Sequence, residues 1–184
     1  MLDILLSEAE EEQCKAWGLA INANKKRLGL KKTHGSRYDD IDIDVSRVNA
    51  VRSERAVAKA LGVLYSVEIL PGGDGGVDLT LPVPCRFGRT VQVKWRRERE
   101  RDLATETSGN LSKDLRADIY VLTWPATVDR LITLVGFATM DDWKKRVFSR
   151  PAVWMRGEKW ELKWDTELRP ITTLIDAVRK VQAA

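Results

Sequence analysis

Apolar and polar residues alternate with period two in Val77-Asp78-Leu79-Thr80-Leu81 and again in Thr90-Val91-Gln92-Val93-Lys94-Trp95, a spacing that predicts two strands. Turn-forming Pro82, Pro84 and Gly88 lie between them, so the pair reads as a hairpin. Along its second strand Val91, Val93 and Trp95 take one face, and Gln92 and Lys94 the other. A further strand over Val63 to Leu70 would complete a three-stranded meander. Continuous apolar runs predict buried strands at Ile119 to Trp124, stopped by Pro125, and at Leu131 to Ala138.

Helical periodicity governs the remainder. Residues 7 to 29 read as a helix capped by Ser7, with Glu8, Glu10, Glu11 and Glu12 at its positive end and Lys25, Lys26 and Arg27 at its negative end. From 46 to 62, Val51, Val57, Ala58 and Leu61 form an apolar stripe that Gly62 terminates. Glu54 falls on that stripe, where a carboxylate needs a cation, a metal or a proton, or else pairs with Arg52 or Arg55 at the helix boundary. A short helix is expected at Leu111 to Arg116, and a longer one at Met140 to Phe148, capped by Thr139. A last amphipathic helix, Pro170 to Val181, would bury Ile171, Leu174, Ile175 and Val178.

Composition narrows the class. A chain of 184 residues, 43% hydrophobic, suits a single domain with a real core, and no apolar run approaches the ~18 residues of a membrane span. Met1 to Leu6 is too short for a signal peptide, and Cys14 and Cys85, with only His34 beside them, form neither a disulfide framework nor a zinc pattern. These features imply a reduced, intracellular protein: cytoplasmic, nucleoid-associated, or in a host cell if viral. The net charge of +4 and pI near 9.1 are consistent with a nucleic-acid partner. Lys25, Lys26, Arg27, Lys31, Lys32 and Arg37 form one acid-free basic stretch, a candidate phosphate contact or a solvated helix end. Arg96, Arg97 and Arg99, in a run of four Arg against two Glu just after the hairpin, read as a DNA-facing surface or an ordinary solvated helix or edge. Asp39, Asp40, Asp42 and Asp44, alternating with Ile41 and Ile43, read as an edge strand or an acidic linker.

Chemistry concentrates between Gly72 and Lys94. Asp78, the Gln92 side-chain oxygen and the Val93 carbonyl are hard oxygen ligands of the kind Mg2+ accepts, and Gly72 to Gly76 would let a phosphate backbone approach closely. A metal there would polarise a phosphoryl oxygen and acidify a water, with Lys94 orienting the nucleophile or stabilising developing charge. Two similar triplets are weaker. Gln13-Cys14-Lys15 lies in a helix without a suitable upstream carboxylate. Glu161-Leu162-Lys163 follows Asp141 and Asp142, which helix capping explains.

Gly76-Val77-Asp78, Val91-Gln92-Val93-Lys94 and the later Arg116-Ala117-Asp118-Ile119-Tyr120-Val121-Leu122 resemble the PD-(D/E)XK nuclease superfamily over roughly residues 48 to 140. The Gln form is most similar to the branch of Mrr-type restriction enzymes and archaeal Holliday-junction-resolvase-like nucleases. Val77 stands in place of the name-giving Pro, and Gln92 in place of an acid, which removes a negative charge from the metal site. The resemblance implies an α/β (α+β) fold with a restriction-endonuclease-like αβββαβ core, a mixed central sheet flanked by helices. Residues 46–184 would form that core, and residues 1–45 an N-terminal helix and linker. It further implies DNA cleavage with Mg2+, or Mn2+ in its place, by Glu54, Asp78, Gln92 and Lys94. Asp78, Gln92, Val93 and Glu54 would hold the metal, and two copies would pair as a homodimer.

The residues leave DNA and RNA unseparated, and no zinc finger, basic zipper or helix-turn-helix is visible, so structure-directed or weakly specific cleavage is expected. Two other classes stay open. One is a nuclease fold that has lost its chemistry and only binds nucleic acid. The other is an oligomeric structural protein, in which tryptophans such as Trp154, Trp160 and Trp164 close a sheet edge or an interface.

Overall fold

The computed structural model describes residues 1–28, 43–65, 77–97, 99–107, 116–125, 128–149 and 158–184. Its elements in chain order are β1 (Leu2–Leu5), α1 (Glu8–Arg27), α2 (Ile43–Leu61), β2 (Leu79–Cys85), β3 (Gly88–Trp95), β4 (Leu103–Thr107), β5 (Ile119–Pro125), β6 (Leu131–Thr139), α3 (Met140–Ser149), β7 (Glu158–Leu162), β8 (Arg169–Pro170) and α4 (Ile171–Gln182). The main sheet is mixed, in the order β1-β6-β5-β3-β2, and β8 pairs with β6 beyond the end of β1. Among the described residues only β3 and β5 run parallel; β4 and β7 form a separate antiparallel pair.

The two faces of this sheet carry separate cores. Val91, Ile119, Val121, Ile132 and Leu134 pack with α2 and α4 through Val51, Val57, Leu61, Ile171, Leu174 and Val178. Tyr120, Leu122, Trp124 and Val135 face the other way, onto Trp143 of α3 and onto Leu103 and Leu162 of the small sheet. β5 is covered on both sides, which is why its sequence is a continuous apolar run. The apolar stripe expected on α4 is the buried one.

Residues 1–28, part of the expected N-terminal helix and linker of residues 1–45, supply β1 and α1 to this same packed body. The short apolar start is thus an edge strand. Ser7 caps α1 in a reciprocal box with Glu10. Gly18 lets α1 approach α2 so closely that a Cβ would stand 2.8 Å from the Val48 backbone. Across that seam Lys59 and Arg55 reach Glu10 at 2.7 and 3.3 Å, and Arg52 reaches Glu11 at 2.9 Å. Cys14 is buried beneath them, and that burial, with the Glu11 charge, pushes its thiol up to about 12.

Several expectations shift. The first hairpin strand continues through Pro82 and Pro84 to Cys85 with an irregular register, and only Arg86 and Phe87 remain as the turn. Prolines fit there because β2 is the last strand of the sheet among the described residues, where a missing N–H costs little. Thr105 to Thr107 belong to β4, whose antiparallel pairing to β7 satisfies their backbone. Val63 to Tyr65 are not a strand, and residues 66–70 lie outside the described residues. So do 111–115 of the expected short helix, the acidic residues Asp39, Asp40 and Asp42, and His34. Asp44 sits in the first turn of α2 and accepts a hydrogen bond from Asn22 Nδ2 at 2.7 Å.

Two carboxylates lock the sheet. Asp118 Oδ2 accepts from Arg89 N at 2.8 Å, Thr90 N at 3.0 Å and Thr90 Oγ1 at 2.9 Å, fixing the start of the β3–β5 pairing. Burial pushes this carboxyl up, but those donors outweigh it and hold it below its ordinary value. Asp142 accepts from Thr139 at the start of α3 and meets Arg169 through both oxygens, at 3.0 and 2.8 Å. Capping therefore explains Asp142, as expected, and Arg169 adds a clamp to β8.

Two predictions follow from these contacts. Gly88 has φ +126°, and a Cβ there would lie 2.2 Å from Asp118 Cβ. Gly88→Ala is therefore expected to cost roughly 2–4 kcal/mol through backbone strain and overpacking, read as a lower urea midpoint at unchanged slope. In Glu10 and Asp142 burial raises the carboxyl, yet Lys59 and Ser7 in the first case, and Arg169 and Thr139 in the second, hold each at about 2, below ordinary values of 4.5 and 3.8. The folded chain then binds fewer protons than the unfolded one. Their stabilisation is in place above about pH 4.5 and is lost as pH falls toward 2. Urea midpoints between pH 5 and 2.5 should fall less steeply in a Lys59→Met/Arg169→Met variant than in the wild type.

Candidate functional site

β2 ends its pairing with β3 at Leu79, opposite Val91. Just before it, Val77 packs into the core on one face of the sheet and Leu79 into the core on the other, so the chain crosses the sheet edge at Asp78. The Asp78 N–H donates to Val91 O at 2.9 Å, and its Oδ2 accepts from Val93 N at 2.6 Å. The carboxylate thus occupies the position that the next carbonyl of β2 would have taken on the ladder. Backbone groups of one strand residue point the same way, so the Val93 carbonyl faces this edge together with its N–H. The Val93 carbonyl therefore lies on the same side of β3 as the Asp78 carboxylate.

Glu54 approaches from α2. The helix ends in a Schellman motif: Val63 N donates to Ala58 O at 3.0 Å and Gly62 N to Lys59 O at 3.3 Å, with Gly62 at φ +65°. This reversal folds Tyr65 back along the helix, and its hydroxyl donates to Glu54 Oε2 at 2.6 Å. Tyr65 is buried edge-on against Trp17 of α1, with ring centroids 5.6 Å apart. Burial, then the negative charges of Glu54 and, more weakly, Asp78, push its phenol well above the ordinary range. Arg52 and Arg55, the alternative partners for Glu54, are directed to Glu11 and Glu10.

Gln92 and Lys94 are half-buried and lie opposite Tyr120 and Leu122 of β5 in parallel register. They belong to the face opposite Val93 and α2, as their alternation predicts. Asp78 stands at the edge between that face and the Glu54 face. No group of three or more His, Cys, Asp or Glu suited to a metal occurs among the described residues. The residues expected to hold a metal supply two carboxylates, one amide oxygen and one carbonyl, all hard oxygen donors of the kind Mg2+ takes, but Gln92 lies on the sheet face opposite that of Glu54 and α2.

The basic residues divide. Lys26 and Arg27 are exposed at the end of α1, where Arg27 donates to Asn24 Oδ1 at 2.9 Å. Arg97 and Arg99 are exposed beyond β3, whereas half-buried Arg96 donates its Nε to Asp102 O at 3.3 Å and helps to shape that turn. The Lys25 side chain, Lys31, Lys32, Arg37 and the Gly72 to Gly76 approach lie outside the described residues. The rival triplet at Glu161 is built into structure: Lys163 pairs with Asp102 at 2.6 Å, and Asp142 with Arg169. Trp164 packs edge-on to Trp124 at 5.2 Å, closing the small sheet onto the large one. Sequence reasoning placed Tyr65 in a strand and so missed its bond to Glu54, because that contact depends on the reversal at Gly62.

Comparison with protein-family models, with curated proteins and with solved structures gives no match for this chain.

The ladder position of Asp78 separates its two roles. Asp78→Asn keeps an oxygen acceptor for the Val93 N–H and is expected to keep stability. Asp78→Ala leaves that donor unmatched and should cost about 1–3 kcal/mol, measured by denaturant unfolding of the two variants side by side.

Proposed function

We propose that the protein is a Mg2+-dependent deoxyribonuclease with a restriction-endonuclease-like core, cutting DNA with structural or weak sequence preference. The observation that carries this reading is the seat of Asp78 at the sheet edge, its carboxylate bonded to the Val93 backbone; Glu54 of α2, held by Tyr65, is the second carboxylate of the reading. In this reading Asp78, the Gln92 side-chain oxygen, the Val93 carbonyl and Glu54 would hold the cation. When bound, Mg2+ supplies positive charge against the phosphoryl oxygens and lowers the pKa of water. Lys94 orients the attacking water and offsets charge on the phosphate, a task for a point charge on a flexible stem. Arg97, Arg99, Lys26 and Arg27 are exposed cations available to phosphates. No helix among the described residues is long and apolar enough to cross a membrane. Pairing of two copies, to cut both strands, belongs to the same proposal.

One observation favours a second reading. Asp78 Oδ2 already completes a backbone ladder, and Gln92 brings no negative charge. Both would suit a nuclease-type fold kept for binding nucleic acid rather than cutting it.

The two readings part in a cleavage assay on labelled single-stranded, duplex, flap and four-way-junction DNA, with Mg2+, Mn2+ or EDTA. Metal-dependent cutting is expected, falling at least about 100-fold in Asp78→Asn and in Lys94→Ala, the scale of a lost transition-state stabiliser. Salt-sensitive binding of DNA by the wild type without cutting would favour the second reading instead.

A further inference from the structure

We infer that Tyr65 is a positioning residue for the proposed cation site, holding Glu54 through Oε2 so that the carboxylate is presented to a cation through a single oxygen. The inference rests on the nuclease reading above and names a residue that the sequence motif does not contain.

The geometry has four parts. Tyr65 is 8% exposed, and its hydroxyl stands 2.6 Å from Glu54 Oε2, within the range of a charge-assisted O–H···O− bond. Its ring is braced edge-on by Trp17 of α1. The Schellman reversal at Gly62 fixes the backbone that delivers it. Finally, Tyr65 shares its buried cluster with Leu79 and Val91, the strand residues next to which Asp78 bonds to the ladder. A buried phenol needs an acceptor, and a backbone carbonyl would have met that need. The acceptor here is instead one oxygen of the carboxylate assigned to the cation, the arrangement by which outer groups orient metal ligands.

The consequence concerns which cation is held. Mg2+ and Mn2+ favour near-octahedral sites built from single-oxygen donors, whereas Ca2+ accepts bidentate carboxylates and higher coordination. With Oε2 committed to Tyr65, Glu54 suits the smaller ions. Phe at position 65 would keep the ring against Trp17 and release the carboxylate to turn.

The test uses the full chain without DNA. Mn2+ binding is measured by electron paramagnetic resonance, and Ca2+ by its competition with Mn2+, for wild type, Tyr65→Phe, Glu54→Gln, Asp78→Asn and the Tyr65→Phe/Glu54→Gln pair. Near-UV circular dichroism checks that each variant is folded. The expected result is a loss of Mn2+ affinity of about 10-fold or more in Tyr65→Phe, with a smaller loss for Ca2+ and no further loss when Glu54→Gln is added. Equal Mn2+ and Ca2+ affinities in wild type and Tyr65→Phe, while Glu54→Gln and Asp78→Asn bind weakly, would overturn the role of Tyr65 and leave the cation site standing. Loss of Mn2+ and Ca2+ in equal proportion would overturn it as well, since general loosening is not orientation. A wild type that binds no Mn2+ would overturn the site reading and this inference together.

Discussion

The parallel pairing of β3 with β5 is the constraint on which the rest of the molecule depends. Parallel neighbours cannot be joined by a tight turn, so the chain must leave the sheet after Trp95 and return at Ile119 in the correct register. That long connection carries an entropic cost that only a well-defined pairing recovers. Asp118 defines it. Its carboxylate gathers two backbone N–H groups and the hydroxyl of Thr90, while its own N–H is shared between Thr90 O and Oγ1. A slip of one residue would exchange the faces of Gln92 and Lys94 with those of Val91 and Val93. Structural and chemical demands are therefore met by one register.

The same register gives the sheet two cores of different character. The face toward α2 and α4 is mainly aliphatic, with Phe137 and Tyr65 as its buried rings, and the face toward α3 and the small sheet is centred on tryptophans, with Trp143 edge-on to Tyr120 and Trp164 edge-on to Trp124. Asp78 lies where the chain passes from one core to the other. A residue at such a crossing cannot bury its side chain on either face, and its carboxylate falls into the line of the ladder. This explains how a carboxylate is accommodated at that edge.

Strong local signals were readable from the sequence. The alternation of Val91 to Trp95, the unbroken run of β5, the Ser7 and Thr139 caps, the Gly62 stop and the stripe of α4 all depend on near neighbours in the chain, and each appears in the structure. What was missed depends on partners far along the chain. The first residues became a strand because β6 offers an edge 130 positions later, as in the bond from Thr133 to Asp3. β4 exists because β7 meets it, and the Tyr65 hydroxyl finds Glu54 only after a reversal in three dimensions. At the site, the residue types and the faces of Gln92 and Lys94 were readable. The in-plane seat of Asp78 was not, since it arises where regular alternation fails.

The seam between α1 and α2 gives the molecule a built-in chemical clock. Cys14 is fully buried beneath the Glu10, Lys59 and Arg55 contacts, and its thiol is held at about 12, where almost no thiolate exists at neutral pH. Cys85 is buried at the far end of the sheet, beside the β2–β3 turn. A thiol reagent can reach either sulfur only when its own part of the fold opens, so the two labelling rates record two separate breathing motions. One reports on the brace behind Tyr65 and the other on the hairpin that carries Gln92 and Lys94, and neither requires a label to be introduced.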